Sequence, residues 1–122
     1  MRTHPKDLDL AALVIQIVCN KFHLDIDDLE SPERSERTVW PRWIAIYLTA
    51  KYTSMDWRVI GELFNRTKSS VRDTIQRSLP ARVETEESSR NQLVQLESLI
   101  IDYTRRPSLT APALPSAISH LP

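Results

Sequence analysis

One glycine stands in the 122 residues, and that scarcity excludes several classes at once. Tight hairpins draw on glycine for left-handed backbone, so a sheet-rich fold is disfavoured and helices are favoured. A Rossmann loop or a P-loop needs at least two glycines at fixed spacing, so neither nucleotide-binding loop is expected. Cys19 is the only cysteine, which removes any intramolecular disulfide. Its place in the apolar run LVIQIVCN reads as a small core residue rather than a nucleophile. No run of residues approaches the apolar length of a membrane span, and the first residues lack the pattern of a secretory leader. These absences predict a cytoplasmic protein with no membrane partner.

Net charge is absent too: 16 basic side chains balance 16 acidic ones. The balance is not local. Between residues 66 and 82 stand Arg66, Lys68, Arg72, Arg77 and Arg82 against Asp73 alone, a surplus of +4. Residues 1–30 carry three basic and six acidic side chains, a balance of −3. A neutral chain of this kind can present one basic face to a polyanion.

What is present is helical periodicity. Leu10, Val14, Ile17, Val18 and Lys21 share one side of a 3.6-residue repeat, which predicts a core helix over 7–22, capped by Asp7 or Asp9. In HLDIDDLESPERSERTVWPRW, Asp25 predicts a capped short turn burying Ile26 and Leu29. The three aspartates lack the glycine and distal glutamate of a calcium loop. Residues 31–37 read as an exposed loop. A second long helix is expected to start near Trp40 and Pro41, with proline in its first turn, and to end near Lys51 or Tyr52. Ser54 is the expected cap of the next helix, with Gly61 inside it allowing another backbone to approach. Asn65 is the expected left-handed terminator. Thr67 caps a further helix with Val71, Ile75 and Leu79 inward, stopped by Pro80. A last helix over 86–104 carries Leu93, Leu96, Leu99, Ile100 and Tyr103. The fold class predicted is all-α, a bundle of five to six helices. One domain over 1–106 is followed by a proline-rich tail, 107–122, expected to be disordered.

Residues 56–78 satisfy the demands of a helix-turn-helix: a packed first helix, a short non-helical turn, and a second helix with one apolar face and one free face. Lys68, Ser69, Arg72 and Gln76 fall on or near the free side. Ser69 and Ser70 sit at the amino end, where free amides favour phosphate and hydroxyls reach phosphate or base edges. The same local pattern also occurs in helical proteins with no DNA role.

Two longer stretches carry a resemblance. PRWIAIYLTAKYT is similar to a P-R-Q-x-A-M-Y-L segment, and IGELFNRTKSSV to an I-G-x-x-F-x-R-D-H-T-T-V signature. From about residue 13 to 79, and more loosely to 100, the chain resembles the C-terminal DNA-binding domain of the bacterial replication initiator DnaA. The resemblance implies that Arg42 reaches the minor groove or backbone. It implies that Arg66 is the signature arginine and that Ser69 and Ser70 replace its two threonines. Thr67 stands where the family has aspartate, Lys68 where it has histidine, Trp43 where it has glutamine, and Arg72 where it has an apolar residue. Threonine is a weaker partner for cytosine than aspartate, and lysine adds charge and reach, so these exchanges favour phosphate gripping or a different sequence. Trp40 and Trp43 flank Arg42. Either one packs on the core while the other covers a helix start, or an exposed indole stacks on sugar.

No G-x-x-x-x-G-K-[ST] occurs, so the resemblance implies a free-standing copy of the DNA-reading part. His4, His23 and His120 are scattered, without metal-ligand spacing to Cys19 or to carboxylates. Ser69 and Ser70 have no histidine nearby and no glycine-rich elbow. The expectation is therefore a non-enzyme without cofactor or metal, binding double-stranded DNA through Arg42, Arg66, Thr67, Lys68, Ser69, Ser70, Arg72 and Arg77. It would act in transcription or replication regulation. The alternative is a protein-interaction module, partnered by another regulatory protein, that keeps the fold and has lost DNA reading.

Overall fold

The computed structural model of the chain describes residues 4–105. Among these residues every regular element is helical: α1 (Pro5–Phe22), α2 (Ile26–Glu30), α3 (Glu36–Tyr52), α4 (Trp57–Leu63), α5 (Lys68–Asp73), a π-helical turn (Thr74–Ser78), α6 (Leu79–Thr85) and α7 (Glu87–Thr104). The helix runs unbroken from α5 through the π turn into α6, so the described residues form six rods. The tail expected over 107–122 lies outside the described residues.

The central element is α3, which packs against α1, α2, α4, the π turn and α6, while α7 packs on α1 and α6. The interior between them is formed by Val14, Val18, Leu29, Ile44, Leu48, Ile60, Phe64, Val71, Leu96 and Ile100, all essentially without solvent contact. Leu99 was expected in this stripe and is exposed instead; Leu96 and Ile100 already fill the inward face of α7.

Side-chain caps set the starts of four of the six rods. Asp25 and Asp28 form a reciprocal capping box: each carboxylate accepts from the other residue's amide, at 3.0 and 3.1 Å. Leu29 is buried by this turn, but Ile26 is not. At α1 the cap is His4, whose Nδ1 accepts from the Lys6 amide at 3.1 Å, rather than Asp7 or Asp9. Asp7 instead accepts from the Ser54 amide at 3.2 Å and ties the start of α1 to the end of α3. Asp56, not Ser54, caps α4 by accepting from the Arg58 amide at 3.0 Å.

Two prolines behave differently from expectation. The third helix begins at Glu36, so Pro41 lies inside it. The lost amide leaves only the carbonyl of Arg37 without its helical donor, and Arg37 is exposed to solvent. The extra turn is held by the buried Thr38, whose hydroxyl donates to the Glu33 carbonyl at 3.2 Å. It also seats Trp40 in the core, where Nε1 donates to Gln92 Oε1 at 2.8 Å and the Arg82 guanidinium lies 4.3 Å from the ring. Pro80 does not stop its helix. The preceding turn widens, so that the Leu79 amide reaches the Thr74 carbonyl five residues back. Widening relieves the clash a proline ring makes with the carbonyl four residues earlier. Beyond it, Arg82 pairs with Glu36 and Glu86 and donates Nε to Ser89 Oγ at 2.9 Å, which fixes α6 to α3 and α7.

Candidate nucleic-acid interface

The helix-turn-helix spans α4, the turn 64–67 and α5. Its compactness depends on Gly61. A methyl group built there would lie 2.4 Å from the Arg66 carbonyl oxygen, and the Arg66 amide donates to the Gly61 carbonyl at 2.7 Å. Asn65 takes the left-handed conformation, φ 57°, that ends α4. Thr67 then caps α5, its hydroxyl oxygen accepting from the Ser70 amide at 3.1 Å.

Val71 and Thr74 are buried and Ile75 is half-buried, which fixes how the second helix is rotated. Lys68, Arg72 and Gln76 follow one another at four-residue spacing on its exposed side, and Ser69, Asp73 and Arg77 form the adjacent ridge. Among the described residues none of Lys68, Arg72 and Arg77 is paired with a carboxylate. The charge of Lys68 does help hold the Asp56 carboxyl below its ordinary range, after the larger effect of the Arg58 amide.

Beside this helix lies an open cleft of about 740 Å³, bounded by Arg34, Trp43, Arg66, Thr67, Ser70 and Thr74. Ser70 is half-buried and faces this cleft rather than standing clear on the ridge. Of the two tryptophans, Trp40 is the core residue, and Trp43 presents a half-buried indole to the cleft wall. Neither simply covers a helix start.

Arg42 is placed otherwise than the resemblance implied. It is 4% exposed. Nε donates to the Leu29 carbonyl at 2.7 Å, and Nη2 to the carbonyls of Ser31 at 3.0 Å, Glu33 at 3.2 Å and Asp28 at 3.5 Å. Burial, and then the charge of Arg66, push its guanidinium down to about 10, which leaves it charged at neutral pH. This side chain clamps the loop between α2 and α3 from the inner wall of the cleft, with its donors spent on those carbonyls. Arg66 is divided between roles: Nη2 donates to the Ser31 carbonyl at 2.6 Å, and Nη1 to Asn65 and Phe64 at 2.9 and 3.1 Å. Its burial, and next the charge of Arg34, lower its pKa. Carbonyls remote in sequence decide the placement of Arg42 and one of the three bonds of Arg66, so no local pattern announces them.

Arg34 is the cation that reading the sequence missed. It is exposed, edges the cleft and is unpaired among the described residues. In the charge-alternating segment PERSER it looks like any solvated loop residue. Among the described residues there is no cluster of three or more metal-ligating side chains. No described helix is long and apolar enough to cross a membrane.

The family model described as the bacterial DnaA protein helix-turn-helix matches residues 11–77, more than half of the chain. The chromosomal replication initiator protein DnaA of Onion yellows phytoplasma (strain OY-M) is 31% identical over 65 residues, 53% of this chain and 13% of that protein. The protein of the same name from Caldanaerobacter subterraneus subsp. tengcongensis is 26% identical over 91 residues, 75% of this chain and 20% of that protein. The chain thus spans 20% or less of the length of these relatives.

Proposed function

The chain belongs to the family of bacterial DnaA helix-turn-helix domains, and from that membership and the exposed cations of α5 we propose that it binds double-stranded DNA. The observation that carries this reading is the uncovered ridge of Lys68, Arg72 and Gln76, with Ser69 and Arg77 beside it. Buried Val71 and Thr74 hold that ridge outward. In the proposal the ridge enters the major groove, Thr67 and Ser70 meet the bounding phosphates near the helix amino end, and Arg34 approaches the backbone from the cleft rim.

The role would be regulatory, in replication or transcription, by occupying sites on a duplex; no catalytic step or cofactor forms part of it. Thr67 and Lys68, in place of the signature aspartate and histidine, shift the surface toward phosphate contact. A labelled duplex titrated at two salt concentrations tests the reading. With Lys68, Arg72 and Arg77 each neutralising one phosphate, affinity should fall about 40-fold between roughly 50 and 200 mM salt, from a slope of about −0.9 per contact. Affinity independent of salt would sink it. Selection from a random duplex pool should yield no strong preference for the DnaA recognition box.

A second reading is an interaction module that has lost DNA reading. It is favoured by one observation: Arg42 and Arg66, two expected DNA contacts, direct their guanidinium donors at backbone carbonyls inside the protein.

A further inference from the structure

Away from the cationic ridge, α1, α2 and the end of α4 enclose an open apolar groove of about 430 Å³. Ile15 and Cys19 form its floor, with Leu8, Ala12, Ile26 and Leu63 along its sides. Leu8 and Ile26 are 46% and 47% exposed. The fold does not explain Ile26. The capping box already sets the start of α2, and Leu29 already anchors that turn in the core.

Every charged residue adjacent in sequence to the groove's lining is acidic. Asp9 follows Leu8, Asp27 follows Ile26, and Glu62 precedes Leu63; all three are exposed and unpaired among the described residues. The fields of Asp25 and Asp28 reach the floor, adding to burial in raising the Cys19 thiol. Lys21, on the same helix, is turned the other way, its Nζ donating to Gln95 of α7.

The geometry points to a docking groove for a protein partner: an amphipathic helix with a narrow apolar ridge flanked by lysine or arginine. The ridge would lie along Ile15 and Cys19 between Leu8 and Ile26. Its flanking cations would meet Asp9 on one side and Asp27 and Glu62 on the other. Nucleic acid is excluded by like charge. A second copy docking through the same face would set its aspartates against their counterparts. The chain's own residues 107–122 carry no lysine or arginine to answer the rim. This inference is independent of DNA binding, because it uses no residue of the α5 ridge.

The test is a titration of the full chain against three fluorescein-labelled 18-residue peptides, read by anisotropy. The first has leucine at heptad a and d positions and lysine beside them, the second has glutamate for lysine, and the third has the lysine peptide's composition in an order without helical amphipathicity. The lysine peptide should bind, and the other two should bind at least about tenfold more weakly. Leu8→Asp with Ile26→Asp should weaken the lysine peptide by about tenfold or more. Asp27→Lys with Glu62→Lys should invert the preference toward the glutamate peptide. That gain of binding cannot come from an unfolded variant. Equal binding of the three peptides would overturn the proposal, as would binding lost on Lys68→Ala but unmoved by the groove variants. Two results would replace the occupant and so also overturn it. One is a dimer in sedimentation that Leu8→Asp dissociates. The other is lysine-peptide affinity raised by Leu114→Asp, which would mean that the chain's own tail fills the groove.

Discussion

Arg42 and Arg66 converge on a single atom, the carbonyl oxygen of Ser31, which accepts from the first at 3.0 Å and from the second at 2.6 Å. Two like charges meet there without a carboxylate bonded to either. Their mutual repulsion is offset by the ring of carbonyls from Asp28, Leu29, Ser31, Glu33, Phe64 and Asn65. The helix-turn-helix is thereby fastened to the loop between α2 and α3, and the cleft beside α5 keeps its shape.

Arg42 should therefore act on stability before it acts on binding. Arg42→Ala leaves buried carbonyls without donors and should lower unfolding free energy by about 2–4 kcal/mol. Arg42→Lys should recover only part of that, since one ammonium cannot reproduce the planar fork. Urea unfolding measures both. A normal midpoint combined with an altered salt slope for duplex binding would return Arg42 to the groove.

Lys68→Ala and Arg72→Ala should do the reverse. Each removes an exposed cation, so unfolding should move by no more than about 0.5 kcal/mol. Each should reduce the salt slope of duplex binding by about 0.9. Duplex titrations at several salt concentrations give the slopes directly, and unchanged slopes in both variants would count against the ridge.

Gly61→Ala sets two effects against each other. Alanine is favoured over glycine inside a helix by about 1 kcal/mol. The added methyl would meet the Arg66 carbonyl oxygen at 2.4 Å, which is backbone and cannot swing aside. The clash should win, with a net loss of about 1–3 kcal/mol in thermal or urea unfolding. The displaced turn should also weaken duplex binding.

The Cys19 thiol gives a pH dependence. Burial, then Asp25 and Asp28, raise it from 9.0 to about 11. Above pH 9 the unfolded chain releases this proton while the folded chain retains it, so stability should fall as pH rises from about 9 to about 11. Lys51 and Tyr52, both raised, act in the same direction. Cys19→Ala should flatten the part of the decline due to the thiol. Unfolding midpoints of both proteins at several alkaline pH values would reveal a thiol that contributes nothing, since the two curves would then run parallel.

By itself the sequence determined what neighbouring residues settle among themselves. Thr67 had a helix amino end within three residues to cap, Asn65 had a turn to close, and Gly61 had a backbone to admit. The stripe of Leu93, Leu96 and Ile100 had one side on which to be buried. These are short-range bonds and a fixed helical period, so they are legible in order along the chain. Tertiary structure decided the rest. Pro80 continues its helix because a wider turn precedes it, and Pro41 sits mid-helix because Thr38 and Trp40 gain core contacts from an earlier start. Ile26 stayed outside because Leu29 had already anchored its turn in the core. Arg42 went inward because carbonyls 9 to 14 residues earlier in the chain surround its guanidinium. An arginine's donors reach water, a phosphate or a carbonyl equally well, and only the folded chain determines which of them lies within 3 Å.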